Sequence, residues 1–195
     1  MGKNYLKNIE PEEIRELELK SFEGEIIVAD TQASFRKAIT KLSGATLLGF
    51  DTETRPSFRK GKKNKVSLLQ LSDGSTACLF RINKIGMPDE LLNILTNPAI
   101  IKAGVAVRDD LRVLAAVRSF IPAGFAELQS LVKDHGIESS GLKKLVAIIL
   151  NFRISKSQQV TDWEAEELSG AQKLYAATDA WVCYLIYKQL FHHSS

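Results

Sequence analysis

The first half of the chain is a series of short apolar runs bounded by polar clusters, and most of the second half carries a helical repeat. An acidic–basic helix is predicted over Pro11 to Lys20. A strand in "EIIVAD" follows, then a helix that starts at a Thr31 cap and runs to about Leu42. "TLLGFDTE" reads as a second strand, and "VSLLQLSDGSTACLF" as a hairpin turning at Asp73-Gly74. A helix over Asp89 to Thr96 and a short strand in "AIIKAGV" come next. From Asp110 helices dominate, over Asp110 to Val117, Leu128 to Asp134, Leu142 to Leu150 and Gly170 to Phe191. Strands first, then strands interleaved with helices, predict an α/β domain with a mixed sheet flanked by helices.

Composition narrows the class without choosing a function. With 195 residues, 45% hydrophobic and 25% charged, the chain can bury a full core and is not expected to be disordered. No apolar run approaches a membrane span, and the polar start "MGKNYLKNIEPEEIRELELK" is not a secretory signal. Cys78 and Cys183 sit among apolar residues, the pattern of buried free thiols, and a cytoplasmic location is expected. Net charge is only +3, but "RPSFRKGKKNK", Arg55 to Lys65, holds six basic residues and no acid. Two readings of that stretch stay open: a solvated surface loop, or a loop that contacts phosphates.

The chemistry lies in acids on faces that should be apolar. In "LLGFDTET" the residues two apart share a strand face, so Asp51 and Glu53 project side by side. On the last helix Asp179 shares a stripe with Tyr175, Val182, Cys183 and Ile186. In "GVAVRDDLRVLAAV" Asp110 faces inward with Val113, Leu114 and Val117. Asp109, with Arg112 among its neighbours, is expected to cap the helix from outside. Unpaired buried carboxylates are costly, and four of them call for a shared counter-charge. Hard oxygen ligands suit Mg²⁺ or Mn²⁺. The three histidines, His135, His192 and His193, offer no convincing zinc site or nucleophilic triad.

"FDTE", "GVAVRDDLRVL" and "YAATD", in this order, resemble the three motifs of the DEDD exonuclease superfamily. The resemblance is to its tyrosine subclass, the branch of ribonuclease D and the Werner syndrome protein's exonuclease domain. It runs from about Phe22 to Leu190 and implies a ribonuclease-H-like fold. It implies that Asp51, Glu53, Asp110 and Asp179 hold two divalent metal ions, Mg²⁺ or Mn²⁺. Tyr175 stands at the subclass tyrosine and is assigned to orienting the attacking water. The implied reaction is hydrolysis from the 3′ end, releasing nucleoside 5′-monophosphates from DNA or RNA with a free 3′ end. Nucleic-acid contacts are expected at Thr52, Arg55, Phe58, Arg59, Lys60, Lys62, Lys63 and Lys65. No membrane or obligate protein partner is implied.

The chain departs from the ribonuclease D pattern after Trp163, where Glu166-Glu167 replaces an expected Arg-Pro. Asn151 stands where a glycine often ends the helix. Trp163 and Trp181 are expected to anchor the core, and Gln70 and Leu71 to pack with their strand. The expected organisation is a helical extension over 1–21, an exonuclease domain over 22–191 and a disordered tail over 192–195. Two rivals remain: a non-catalytic nucleic-acid-binding module, and a phosphodiesterase of short oligonucleotides.

Overall fold

Thr31 and Ser34 exchange hydrogen bonds at the head of a helix, Ser34 N donating to Thr31 Oγ1 at 3.2 Å and Thr31 N to Ser34 Oγ at 3.0 Å. This reciprocal cap fixes where the chain turns helical, as the sequence predicts. In the computed structural model, which describes residues 4–55 and 65–191, the elements run in an interleaved order. The early elements are α1 (Pro11–Glu16), β1 (Glu25–Ala29), α2 (Gln32–Leu42), β2 (Leu47–Thr54), β3 (Val66–Ser72) and β4 (Thr76–Phe80). Next come α3 (Ile82–Ile85), α4 (Asp89–Thr96), β5 (Ile101–Gly104), α5 (Val107–Ala115), β6 (Phe125–Glu127) and α6 (Leu128–Leu131). A 3₁₀ turn (Val132–His135), α7 (Leu142–Leu145) with a π-helical continuation (Val146–Leu150), and α8 (Gly170–Phe191) complete the order.

Among the described residues the strands form one sheet ordered β1-β4-β3-β2-β5-β6. The β2–β3 and β3–β4 pairs are antiparallel, and β1–β4, β2–β5 and β5–β6 are parallel, so the sheet is mixed as expected. The β3–β4 hairpin is set by Asp73, whose Oδ1 accepts from Ser75 N at 2.8 Å and Thr76 N at 2.7 Å. On one face Leu48, Phe50, Leu69 and Leu71 pack with Phe35, Leu91 and Leu114 of α2, α4 and α5. The other face is covered by α8 and the α7 region through Leu145, Ile149, Val182, Cys183 and Ile186. Gly49 permits the closest approach of α8, since a Cβ there would lie 1.8 Å from Ala180 O. That contact sets α8 directly over β2.

The structure differs from the sequence reading at several boundaries. Helix α1 stops at Glu16 rather than Lys20 because the following residues pair with another segment. Leu19 bridges Arg153 in parallel, Lys20 N donates to Arg153 O at 2.9 Å, and Arg153 N donates to Glu18 O at 2.9 Å. The short β6 and α3 carry too few residues to show a period, and neither is legible in the sequence. Helix α5 begins at Val107, not Asp110, behind Ala106 in the left-handed region at φ 58°. Asn151 ends the π-helical turn in the same region at φ 57°, the role expected for it.

Candidate active site

Strand β2 divides its side chains between two layers. Leu48 and Phe50 enter the α2–α4–α5 side, while Gly49, Asp51 and Glu53 face α8. Asp179 comes down from α8 and is almost wholly buried. One carboxylate oxygen each of Asp51, Glu53 and Asp179 lies within 4.8 Å of the others. These three line a cavity of about 330 Å³ together with Thr52, Tyr175, Lys143 and Lys156.

Asp110 joins from the other side of the strand end. Its Oδ1 accepts the Thr52 hydroxyl at 2.6 Å, and it lies outside the three-carboxylate group. Asp109 points out and pairs with Arg112 at 3.1 Å. Its expected capping role is corrected: the free amides at the head of α5 belong to Glu127, which accepts from Ala106 N at 3.2 Å and Val107 N at 2.8 Å. A cap contributed from β6 has no local sequence signal.

The electrostatics follow from crowding acids in a partly enclosed cavity. Burial, then the Asp179 and Asp110 charges, push Glu53 up to about 8. Asp51 is raised well above the carboxylate range, by burial first and then by Asp179, Asp110 and Glu53, against one opposing hydrogen bond from Thr52 N. Asp179 rises to about 7 through burial, although Tyr175 and Lys156 pull it down. Asp110 also rises to about 7 through burial, moderated by the Thr52 hydroxyl. The Tyr175 hydroxyl hydrogen-bonds Asp179, and burial together with that charge raises its pKa, so it remains a proton donor. A hard divalent cation would relieve this repulsion, and an all-oxygen donor set fits one.

Two basic residues of the cavity, Lys143 in "GLKKL" and Lys156 in "RISKSQQ", were not picked out from the sequence. Both lie in segments with mixed polarity, where nothing local marks a lysine as facing acids. Arg55, at the end of β2, turns to Glu164 at 3.2 Å and Asp162 at 3.9 Å. Lys65 is exposed, whereas Phe58, Arg59, Lys60, Lys62 and Lys63 lie outside the described residues, as does the tail 192–195. Trp163 is fully buried against Tyr175, with ring centroids 6.0 Å apart, as a core anchor should be. Glu166, where a basic contact was expected, instead accepts Lys84 Nζ at 2.9 Å beside the buried Arg81, which donates to Ala165 O at 2.6 Å.

The family described as 3'-5' exonuclease matches residues 26–193. The chain belongs to that family. It is 32% identical over 156 residues to the mouse bifunctional 3'-5' exonuclease/ATP-dependent helicase WRN, which covers 77% of the chain and 11% of that protein. It is 32% identical over 168 residues to ribonuclease D of Shewanella sp. (strain ANA-3), covering 82% of the chain and 41% of that enzyme. The crystal structure of Escherichia coli RNase D superposes with a TM-score of 0.76 at 26% identity, over 87% of this chain and 44% of that one. The fold is therefore ribonuclease-H-like, as the motifs implied. The chain spans only 11%, 22% and 25% of the length of three such curated relatives.

Proposed function

We propose that the chain is a metal-dependent 3'-5' exonuclease that removes nucleoside 5′-monophosphates from the 3′ end of DNA or RNA. The observation that carries the proposal is the convergence of Asp51, Glu53 and Asp179 within 4.8 Å in a solvent-reached cavity. Three like charges gathered under a helix are a liability unless a cation joins them. In the proposal Asp51, Glu53, Asp110 and Asp179 hold two divalent ions, Mg²⁺ or Mn²⁺. When bound, such ions supply Lewis-acid stabilisation of a phosphodiester's developing charge and make water more acidic.

The chain's own residues do the rest. Tyr175, protonated and hydrogen-bonded to Asp179, orients the attacking water rather than removing its proton. Lys143 and Lys156, across the same cavity, receive the phosphate next to the reacting bond. The basic stretch from Arg55 to Lys65 follows the backbone of the strand. The intact acid cluster weighs against the non-catalytic rival.

The test is a panel of 5′- and 3′-labelled single- and double-stranded DNA and RNA with Mg²⁺ or Mn²⁺. A 5′-labelled strand should shorten stepwise, a 3′ label should leave at once as mononucleotide, and chelator should stop both. Efficient cutting of closed circular strands would overturn the exonuclease reading. Turnover confined to dinucleotides would replace it with the short-oligonucleotide phosphodiesterase.

A further inference from the structure

Gln70 sits in the middle of β3, wholly buried, and neither its Oε1 nor its Nε2 has a hydrogen-bond partner among the described residues. Two comparable buried polar side chains, by contrast, are satisfied. Gln172, the other buried side-chain amide among the described residues, is satisfied at both ends. Its Oε1 accepts from Ser169 N at 2.9 Å, and its Nε2 donates to Thr161 Oγ1 and Asp162 O at 3.1 Å each. The fully buried Lys102 places its ammonium on Asn97 O at 2.8 Å and Ile100 O at 2.7 Å. Buried amides left unpaired weaken a fold, and those that persist point to a role outside packing.

The sheet register says what Gln70 faces. It is directly opposite Asp51 on β2 and Leu79 on β4. Directly opposed residues of an antiparallel pair project from the same face with their Cβ atoms roughly 5 Å apart. Leu68 and Leu79, its neighbours on that face, pack with Trp163, Tyr175 and Ala176 and offer no acceptor from their side chains. The Trp163 indole Nε1, in that same cluster, is also a donor without a partner. The Asp51 carboxylate in turn receives one hydrogen bond among the described residues, from Thr52 N at 2.9 Å. An amide without an acceptor therefore stands beside a carboxylate short of donors.

We infer that Gln70 is a positioning residue for Asp51: its side-chain amide is the donor that fixes the Asp51 carboxylate when that carboxylate is ionised and ligates a cation. The role rests on the metal-site reading above. Groups that orient a ligating carboxylate through a hydrogen bond set how tightly the metal is held. Packing does not account for the amide, because an apolar side chain of the same length would fill the position without stranding two polar ends.

The experiment replaces Gln70 with Met, which keeps length and volume, and with Leu as a second apolar variant. Melting is followed without metal, and Mn²⁺ binding is measured by calorimetry, on the full chain and again in an Asp51→Asn background. Removing the stranded amide should leave the metal-free protein at least as stable, with a melting temperature higher by ~2–6 °C. Mn²⁺ affinity should fall by about tenfold, the lower end of the effect of losing a hydrogen-bonding partner that orients a ligand. In the Asp51→Asn background Gln70→Met should have no further effect on Mn²⁺ affinity, because the carboxylate it serves is gone. Unchanged Mn²⁺ affinity in both single variants overturns the role of Gln70 alone. A tenfold loss that persists undiminished beside Asp51→Asn overturns it too. A wild-type chain that takes up no Mn²⁺ overturns the metal site itself, and Gln70 with it.

Discussion

The Thr52 hydroxyl donates to Asp110 Oδ1 at 2.6 Å, although Thr52 lies on the opposite strand face from Asp51 and Glu53. Thr52 thus reaches α5 while its neighbours reach α8, and the strand end gathers acids from both layers. Asp110→Ala should reduce turnover by several orders of magnitude. Asp109→Ala should be nearly silent, because its exposed pair with Arg112 contributes at most about 1 kcal/mol. Thr52→Val keeps the shape and loses the donor, so the Asp110 pKa should rise further and turnover should fall by about tenfold at neutral pH. Steady-state kinetics across pH would measure all three. A dead Asp109→Ala beside an active Asp110→Ala would reverse the assignment.

Metal-free stability should fall as pH rises from the ordinary carboxylate range to about 8. Glu53 moves from an ordinary value of 4.5 to about 8, and Asp110 and Asp179 to about 7, chiefly through burial. Between those limits the folded protein holds more protons than the unfolded chain, so unfolding free energy decreases with pH. Divalent cations must displace the same protons, and their affinity should therefore climb over the same window. Melting in chelator and Mn²⁺ titration between pH 5 and 8.5 would test both slopes. A melting temperature that rises with pH in chelator would show that the acids are not held protonated.

Strand β2 and helix α8 were legible from the sequence because each breaks its own apolar period with an acid, and a broken period is visible without any structure. Asp110 was legible in the same way, from its face on α5. What stayed hidden depends on contacts between distant segments. Glu127 caps α5 from another strand, and Arg153 captures the chain after α1. Lys143 and Lys156 meet the acids only once α7 and the following loop fold over them. Gln70 looked like an ordinary strand residue, since a sequence shows that a polar side chain is buried but not whether it is satisfied.

The basic stretch and the cavity lysines should fail in different ways. Lys60, Lys62 and Lys63 changed together to Ala should lower the log–log salt slope of binding by roughly two units, at ~0.7 per single-strand phosphate contact. Lys156→Ala should act on chemistry as well. Its charge holds the Asp179 pKa down, so losing it should move the acidic limb of the pH–rate profile upward. An unchanged salt slope in the triple variant would return that stretch to the solvated-surface reading. An unmoved acidic limb would remove Lys156 from the site's electrostatics.

Tyr175 and Asp179 stand one helical turn apart on α8 and share a hydrogen bond, yet they should fail separately. Asp179→Ala takes away a carboxylate of the close group, so metal affinity and turnover should drop together. Tyr175→Phe keeps the ring that packs on Trp163, at a centroid distance of 6.0 Å, and loses only the hydroxyl. Folding should barely change, and metal affinity should alter little, because Tyr175→Phe leaves the acidic side chains of the site in place. Its hydroxyl does lower the Asp179 pKa, so a small rise in the pH midpoint of metal binding should accompany the change. Turnover should fall by ~10²-fold, the lower end of what a positioned proton-handling group contributes. Calorimetric metal titration beside single-turnover kinetics separates the two effects. Wild-type turnover in Tyr175→Phe would make Tyr175 a packing residue and leave water orientation to the carboxylates.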